Sequence, residues 1–323
     1  TMYTVAGVLT DERPANIDEV IDLENGFVVP AYGEGHTHRP ATPARFRPGS
    51  AMFLEDGIFY AMNHGSLAQY QAELARLSSH PQTIDAKFAG AVIASPQSHG
   101  VELWQRLVAR GSFPGVDADS LDGNAFFVID SGDSLRERWP GYLKLKPDFV
   151  KIMVEYSEDY VTRSKDKKYF GQSGLHPGLV APIVRLAHQA DLRVSAHIET
   201  AADFHVVVDA GVDLVAHLPG YDIPLDAPDQ QYLIKPSDAV RAREQGLSVI
   251  TTTILGVDRA DGDQQRLEKN QRIQKQNLQA LQEAGVSIAM GSDQFSTKAV
   301  DVRLTLAALG VVDNVRLLKM LGV

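Results

Sequence analysis

The chain has 323 residues, 44% of them hydrophobic and 22% charged, a balance that fits one large α/β barrel or two ordinary domains and excludes extended disorder. Its 41 acidic and 31 basic side chains give a formal net charge of −10, which argues against a nucleic-acid partner, since phosphate neutralisation needs clustered Lys and Arg. The sequence contains no cysteine, so disulfide scaffolds, thiolate metal sites and cysteine nucleophiles are excluded, and no apolar run reaches the length of roughly 18 residues that a spanning helix needs.

The first 26 residues are polar and lack a clear period. From there the chain alternates strand-like and helix-like runs. Strands are expected at 27–32, 57–62, 88–94, 149–154, 192–196, 213–216, 247–252 and 286–290, each a continuous apolar run of the kind buried on both faces. Helices are expected at 66–77, at 177–190 with Pro177 at its start, at 200–210 ending on Gly211, at 263–284 ending on Gly285, and near 296–309. Eight strands alternating with helices predict an α/β fold, a (β/α)8 TIM barrel over 27–323 preceded by a separate segment, 1–26. A doubly wound open sheet is the competitor, weakened by the lack of GxGxxG after the first strand.

A barrel places its chemistry at the C-terminal ends of its strands. There the first expected strand runs into Gly35-His36-Thr37-His38, whose two imidazoles, at i and i+2 on an extended chain, project to one side and reach one metal. Lys151 sits inside the apolar fourth run; His197, His217 and Asp293 end the fifth, sixth and eighth. Each has an ordinary alternative. His36 and His38 fit a surface loop, His197 a satisfied core histidine, His217 a turn, Asp293 a cap for the helix near 296–309, and Lys151 a long stem reaching the rim. All of those accounts must hold together, so a shared site is the stronger expectation.

In this order and spacing the stretches GFVVPAYGEGHTH, DFVKIMVEYSED, RVSAHIETAADFHVVVDAGVDLVAHLPG and VSIAMGSDQ resemble the amidohydrolase superfamily of metal-dependent hydrolases. The resemblance points to the branch of imidazolonepropionase-like proteins and Xaa-Pro or Xaa-Arg/Lys dipeptidases. It implies that His36 and His38 bind a first divalent ion, that His197 and His217 bind a second, and that carboxylated Lys151 bridges the two. Asp293 then binds the first ion and serves as the catalytic acid/base. Zn²⁺ suits imidazole and carboxylate ligands best, and the implied reaction is attack on an amide-type bond of a dipeptide, N-acyl amino acid or cyclic amide by a metal-bridging hydroxide. The family usually flanks the barrel with a small β-sandwich built from both chain ends. Here only a remnant around residues 3–23 is expected, in a chain shortened or poor in that sandwich. Dipeptidase-like members often carry Tyr two residues after the fifth-strand histidine, where this sequence has Glu199.

Three further residues are candidates for substrate contact. His99 is placed to hydrogen-bond a carbonyl or oxyanion, with His64 in a similar position, and Tyr156 follows the lysine strand beside Glu155. Glu199 either faces the pocket, selecting a cationic substrate, or starts the helix at Thr200. The basic stretch 163–168 reads as a solvated loop, and Gly132-Asp133-Ser134-Leu135 spells an esterase tetrapeptide with no histidine beyond His217 to serve it. A mononuclear deaminase or lactonase, and a metal-binding protein without catalysis, are the rival functions. The expected partner is a small-molecule substrate, with no nucleic acid and no membrane; a homo-oligomer and the compartment, cytoplasmic or exported after leader removal, stay open.

Overall fold

The computed structural model of the chain describes residues 1–78, 80–295 and 298–321. Two units are distinguished, Thr1–Pro30 and Ala31–Val323. In the first, β1 (Tyr3–Val5) and β2 (Val8–Thr10) pair antiparallel around Ala6 and Gly7. Their φ angles of 51° and 81° are the left-handed pair that a two-residue type I′ hairpin needs. Residues 11–30 form no strand or helix. The strand expected at 27–32 is therefore displaced: Phe27 is 92% exposed, Val28 and Val29 are exposed, and pairing begins only beyond Pro30, which has no N–H to give a ladder.

Among the described residues the second unit carries ten parallel strands: β3 (Tyr32–Thr37), β4 (Ile58–Asn63), β5 (Asp85–Phe88), β6 (Val92–Ala94), β7 (Phe126–Val128), β8 (Val150–Met153), β9 (Val194–His197), β10 (Leu214–Val215), β11 (Ser248–Thr251) and β12 (Ser287–Met290). They form two arcs, β3-β4-β5 and β7-β6-β8-β9-β10-β11-β12. One seam joins β5 to the start of β8, where Asp148 N–H donates to Phe88 O at 2.9 Å and Phe88 N–H to Asp148 Oδ2 at 2.8 Å. The other joins β3 to the chain just past β12, where His36 O accepts from Ser292 and Asp293. The fold is the expected α/β barrel. Two details differ from expectation. The run 88–94 is two strands, because Gly90 at φ +65° leaves the extended ladder between them. An additional strand, β7, flanks β6 on the side away from β8; three residues are too short to carry a period.

Between the strands lie α1 (Pro43–Glu55), α2 (Gln71–Ser78), α3 (His99–Ala109), α4 (Gly132–Leu143), α5 (Tyr160–Arg163), α6 (Pro177–Gln189), α7 (Ala201–Ala210), α8 (Pro236–Glu244), α9 (Ile254–Asp258) and α10 (Gln264–Ala284), and after β12 come α11 (Ala299–Ala308) and α12 (Asn314–Leu321). No helix among the described residues is long and apolar enough to cross a membrane. Thr200 caps α7 in a reciprocal box with Asp203, and Gly211 ends it in the left-handed conformation. The helix expected near 296–309 is α11; Ser296 and Thr297 lie outside the described residues. Ile93, Ile152, Val194, Val215, Ile183, Val207 and Leu278 share one buried core between strands and helices, each apolar side chain stabilising the fold by about 1.5–3 kcal/mol.

α10 departs from a simple amphipathic helix. Its buried face includes Lys269, Asn270, Gln274 and Asn277 beside Ile273, Leu278 and Leu281. These polar groups hold the segment that follows β10. Lys269 Nζ donates to the carbonyls of Pro224, Leu225 and Ala227. Asn270 donates to Tyr221 O at 3.1 Å and accepts from Ile223 N–H at 3.1 Å. Asn277 donates to Pro219 O and Tyr232 O and accepts from Ile234 N–H at 2.8 Å. Lys269, Asn270 and Asn277 are tolerated in the interior because each is paired, whereas Gln274 Nε2 has no hydrogen-bond partner among the described residues.

Gly35 in β3 approaches the opposite wall so closely that a Cβ there would lie 2.8 Å from Met290 O and 3.1 Å from Ile250 Cγ2. Gly35→Ala should therefore destabilise the fold by about 1–3 kcal/mol through overpacking. Gly141→Ala in α4, whose added Cβ would meet nothing nearer than 3.9 Å, should be neutral or stabilise by up to about 1 kcal/mol. Urea unfolding of the two variants checks both.

Candidate active site

The seam between β3 and β12 builds the centre. His36 O accepts from Ser292 N–H at 3.1 Å and Asp293 N–H at 2.7 Å, and His38 N–H donates to Gln294 O at 3.2 Å. Buried Glu34 fastens the same seam, its Oε1 accepting from His36 N–H and Ser292 N–H, both at 2.9 Å. Asp293 sits at φ +55°, a left-handed conformation uncommon outside glycine. Its carboxylate turns onto the histidines: Oδ1 lies 3.0 Å from His36 Nε2 and 2.8 Å from His38 Nε2, and Oδ2 lies 3.8 Å from His217 Nε2. α11 begins five residues beyond Gln294, with Lys298 at its cap position, so Asp293 is not that helix's cap.

The strands that follow supply the rest of the wall. The His197 ring lies 4.5 Å from that of His217, and His217 4.9 Å from His36. Lys151, 3% exposed, comes from β8 with its Nζ 3.4 Å from His64 Nδ1. His36, His38, Lys151, His197, His217 and Asp293 all line one cavity of about 440 Å³. The residues expected from sequence to share a site are thus brought together. Among the described residues, the ligand atoms of His36, His38 and Asp293 form a group that could hold a metal ion, all within 4.8 Å of one another.

The donor set fits a cation. His36 Nδ1 lies 2.9 Å from Ala216 O, which only accepts, so that nitrogen carries the proton. In the neutral ring Nε2 is then a lone pair, facing Asp293 Oδ1 at 3.0 Å. Two acceptors face each other there unless a positive charge lies between them. The rings are poor proton carriers: burial pulls His36 down to about 4 and His197 to about 3, and holds His64 and His217 well below the ordinary imidazole value. Burial pushes Asp293 upward, but the surrounding imidazoles prevail and hold it well below the usual carboxylate range. Burial also lowers the Lys151 ammonium to about 7, against a smaller upward pull from Asp293. Neutral imidazoles around a carboxylate are metal-ligand chemistry.

The three substrate candidates fall in different places. His99 opens α3 after β6, lines the cavity, and lies with its ring 5.7 Å from that of His197. Its main-chain N–H is taken by buried Glu155. Tyr156 and Glu199 do not line the cavity. Tyr156 lies under the Arg163 guanidinium, 3.7 Å from its ring centroid. Glu199 sits behind His197, its Oε1 2.9 Å from Nε2 and also taking the Tyr221 hydroxyl. None of residues 163–168 lines the cavity. The esterase tetrapeptide is a helix start: Ser134 and Ser131 cap α4 reciprocally. Sequence reasoning did not single out Glu34, Tyr221 or Arg259, the last an exposed cavity residue. Glu34 lay in plain view two residues before His36, but a carboxylate bonded to main-chain N–H groups leaves no spacing signal.

No family model matches the chain, and no curated protein does. Solved structures do match. The A. niger ochratoxinase shares 16% identity over 90% of this chain and 69% of its own, with a TM-score of 0.66. A prolidase complexed with N-methylphosphonate-L-proline shares 17% over 98% and 82%, at 0.62. A Xaa-Pro dipeptidase with bound methionine shares 16% over 90% and 73%, at 0.61. At these identities the likeness is one of fold: the chain folds like solved structures described as an amidohydrolase and a prolidase.

Dehydrated histidines tie stability to pH. Burial lowers His99 to about 4, so below 6.5 the unfolded chain binds a proton that the folded ring refuses, and the ring's contribution is lost as pH falls from 6.5 towards 4. Glu34 and Glu199, raised by burial to about 7, act in the opposite sense between 4.5 and 7, so the difference between wild type and His99→Gln isolates the ring. In EDTA-treated protein the wild type should lose stability relative to that variant over this window, at up to about 1.4 kcal/mol per pH unit. A constant difference from 6.5 to 4 would mean that the folded ring is charged.

Proposed function

We propose that the chain is a metal-dependent hydrolase that cleaves an amide-type bond in a dipeptide, an N-acyl amino acid or a cyclic amide. One observation carries this: buried His36 turns a lone pair onto the Asp293 carboxylate, beside five more imidazoles and Lys151, on the wall of a substrate-sized cavity. The ochratoxinase, prolidase and dipeptidase of similar fold support the bond type.

His36, His38 and Asp293 would hold a first divalent ion, with Zn²⁺ the best match to the ligands, and His197 and His217 a second. Lys151, lowered to about 7, has a large neutral fraction at physiological pH, so its amine can add CO₂, releasing a proton and leaving a carbamate able to bridge two ions. When bound, the ions supply Lewis acidity, which acidifies water and polarises a carbonyl. Asp293 is held as an anion, so its carboxylate can take the proton of the attacking water and hand it to the leaving nitrogen. His99, neutral and on the cavity wall, offers a ring N–H to the oxygen that gains charge. A single-ion version, as in deaminases and lactonases, is the second reading; the tight grouping of His36, His38 and Asp293 alone favours it.

Elemental analysis of metal-supplemented protein should reach about two ions per chain; saturation at one selects the second reading and removes the bridging role of Lys151. Turnover should appear in a panel of N-acyl amino acids, dipeptides and lactams, and a fully loaded protein inert to all of them would be a metal-binding protein instead. Asp293→Asn should keep most of its metal and lose about 10²- to 10⁴-fold in kcat, the scale of general acid–base work. Lys151→Ala should lose the second ion and regain activity with short carboxylic acids such as formate or acetate.

A further inference from the structure

Glu199 occupies the position where a substrate contact was expected, yet the cavity does not reach it. Its main chain has already entered the start of α7: Glu199 N–H and Thr200 N–H both donate to Asp203 Oδ2 at 3.0 Å. The side chain turns back. Glu199 Oε1 lies 2.9 Å from His197 Nε2 and accepts the Tyr221 hydroxyl, in a setting where His197 and Tyr221 are each 5% exposed. The oxygen that accepts the Tyr221 hydroxyl is an acceptor towards His197 as well, so both neighbours donate to it. His197 then carries its proton on Nε2 and keeps its lone pair on Nδ1, which has no hydrogen-bond partner among the described residues.

Tyr221 is held from two sides. Its carbonyl accepts from Asn270 on α10 at 3.1 Å, and Gly220 before it, at φ +101°, passes so near α10 that a Cβ would lie 2.6 Å from Ile273 Cγ2. Its ring lies 5.1 Å from that of His217. His217 is fixed separately, with Nδ1 2.9 Å from Thr252 Oγ1.

We propose that Glu199 and Tyr221 are a positioning pair for the second ion. Glu199 fixes the tautomer and angle of His197, and Tyr221, packed on His217, locks Glu199 in place, so that the two imidazoles present their lone pairs as one unit. The pair rests on the two-ion reading of the site, but the tautomer it imposes exists without any ion. A partner carboxylate of this kind is typically worth 10- to 100-fold in metal affinity.

The test uses three variants of the full chain. Glu199→Leu removes the acceptor at similar size, Glu199→Gln keeps an acceptor oxygen, and Tyr221→Phe removes the second hydrogen bond alone. In metal-free protein, ¹⁵N shifts of the histidine rings should show His197 as the Nε2–H tautomer in wild type and Glu199→Gln, and as a mixture in Glu199→Leu. In Zn²⁺ titrations the second ion should bind about 10- to 100-fold more weakly to Glu199→Leu and less than 10-fold more weakly to the other two, with the first ion unchanged throughout. An Nδ1–H tautomer in wild type would overturn the proposal. So would equal weakening of both ions in Glu199→Leu, or Glu199→Gln as impaired as Glu199→Leu, because either marks a packing role. If wild type takes up one ion only, the two-ion reading falls by itself, and with it the ligand role of the pair, while an Nε2–H tautomer lost in Glu199→Leu would still establish the orientation.

Discussion

The carbonyl oxygen of His36 accepts two main-chain hydrogen bonds, from Ser292 and Asp293, and the whole centre depends on that junction. It brings the start and the end of the barrel side by side across more than 250 residues of sequence. Strand pairing orients the backbone, Glu34 adds a side-chain clasp across the same junction, and the left-handed turn at Asp293 swings its carboxylate onto His36 and His38. Gly35 and Gly291 permit the approach: a Cβ on Gly291 would lie 2.8 Å from His36 N. The junction is made of groups that every residue possesses, so its demand on sequence is chiefly for what is missing, a side chain at two places.

Dehydration then sets the chemistry. Five of the cavity's histidines, His36, His64, His99, His197 and His217, are driven towards neutrality by burial, while Asp293 stays ionised among them. Each imidazole therefore has one lone pair to offer, and its second nitrogen decides which. Ala216 O makes the choice for His36, Thr252 lies against Nδ1 of His217, and Glu199 makes the choice for His197. Ligand identity and ligand direction are thus separate properties, supplied by separate residues.

That separation explains what was legible in the sequence. His36, His38, Lys151, His197, His217 and Asp293 stand out because polar side chains at the ends of apolar runs are costly without a purpose. Most strands were legible for the same hydrophobic reason. The start of β3 was not, since 27–32 is the more apolar run, whereas β3 itself, Tyr-Gly-Glu-Gly-His-Thr, is chosen by close packing rather than by burial of large side chains. The split between β5 and β6 depended on the conformation of Gly90, and the partners of the imidazoles depended on tertiary contacts between residues as far apart as His36 and Ala216. Glu199 was noticed as a departure from a familial pattern, but its hydrogen bonds to His197 and Tyr221 could not be read from a spacing of two beside a helix start.

The polar face of α10 has a consequence for how such a barrel can be altered. Lys269, Asn270 and Asn277 hold the segment from Pro219 to Ile234 through main-chain groups rather than through its side chains. The loop can therefore change its exposed residues while keeping its path, whereas Gly220, Tyr221, Ile223 and Tyr232 are fixed by their own packing or hydrogen bonds. It cannot be exchanged for a loop of another length without leaving an ammonium and two carboxamides stranded in the interior. In recombination between related barrels, the workable crossover points lie before Pro219 and after α10, so this loop and helix would travel as one cassette.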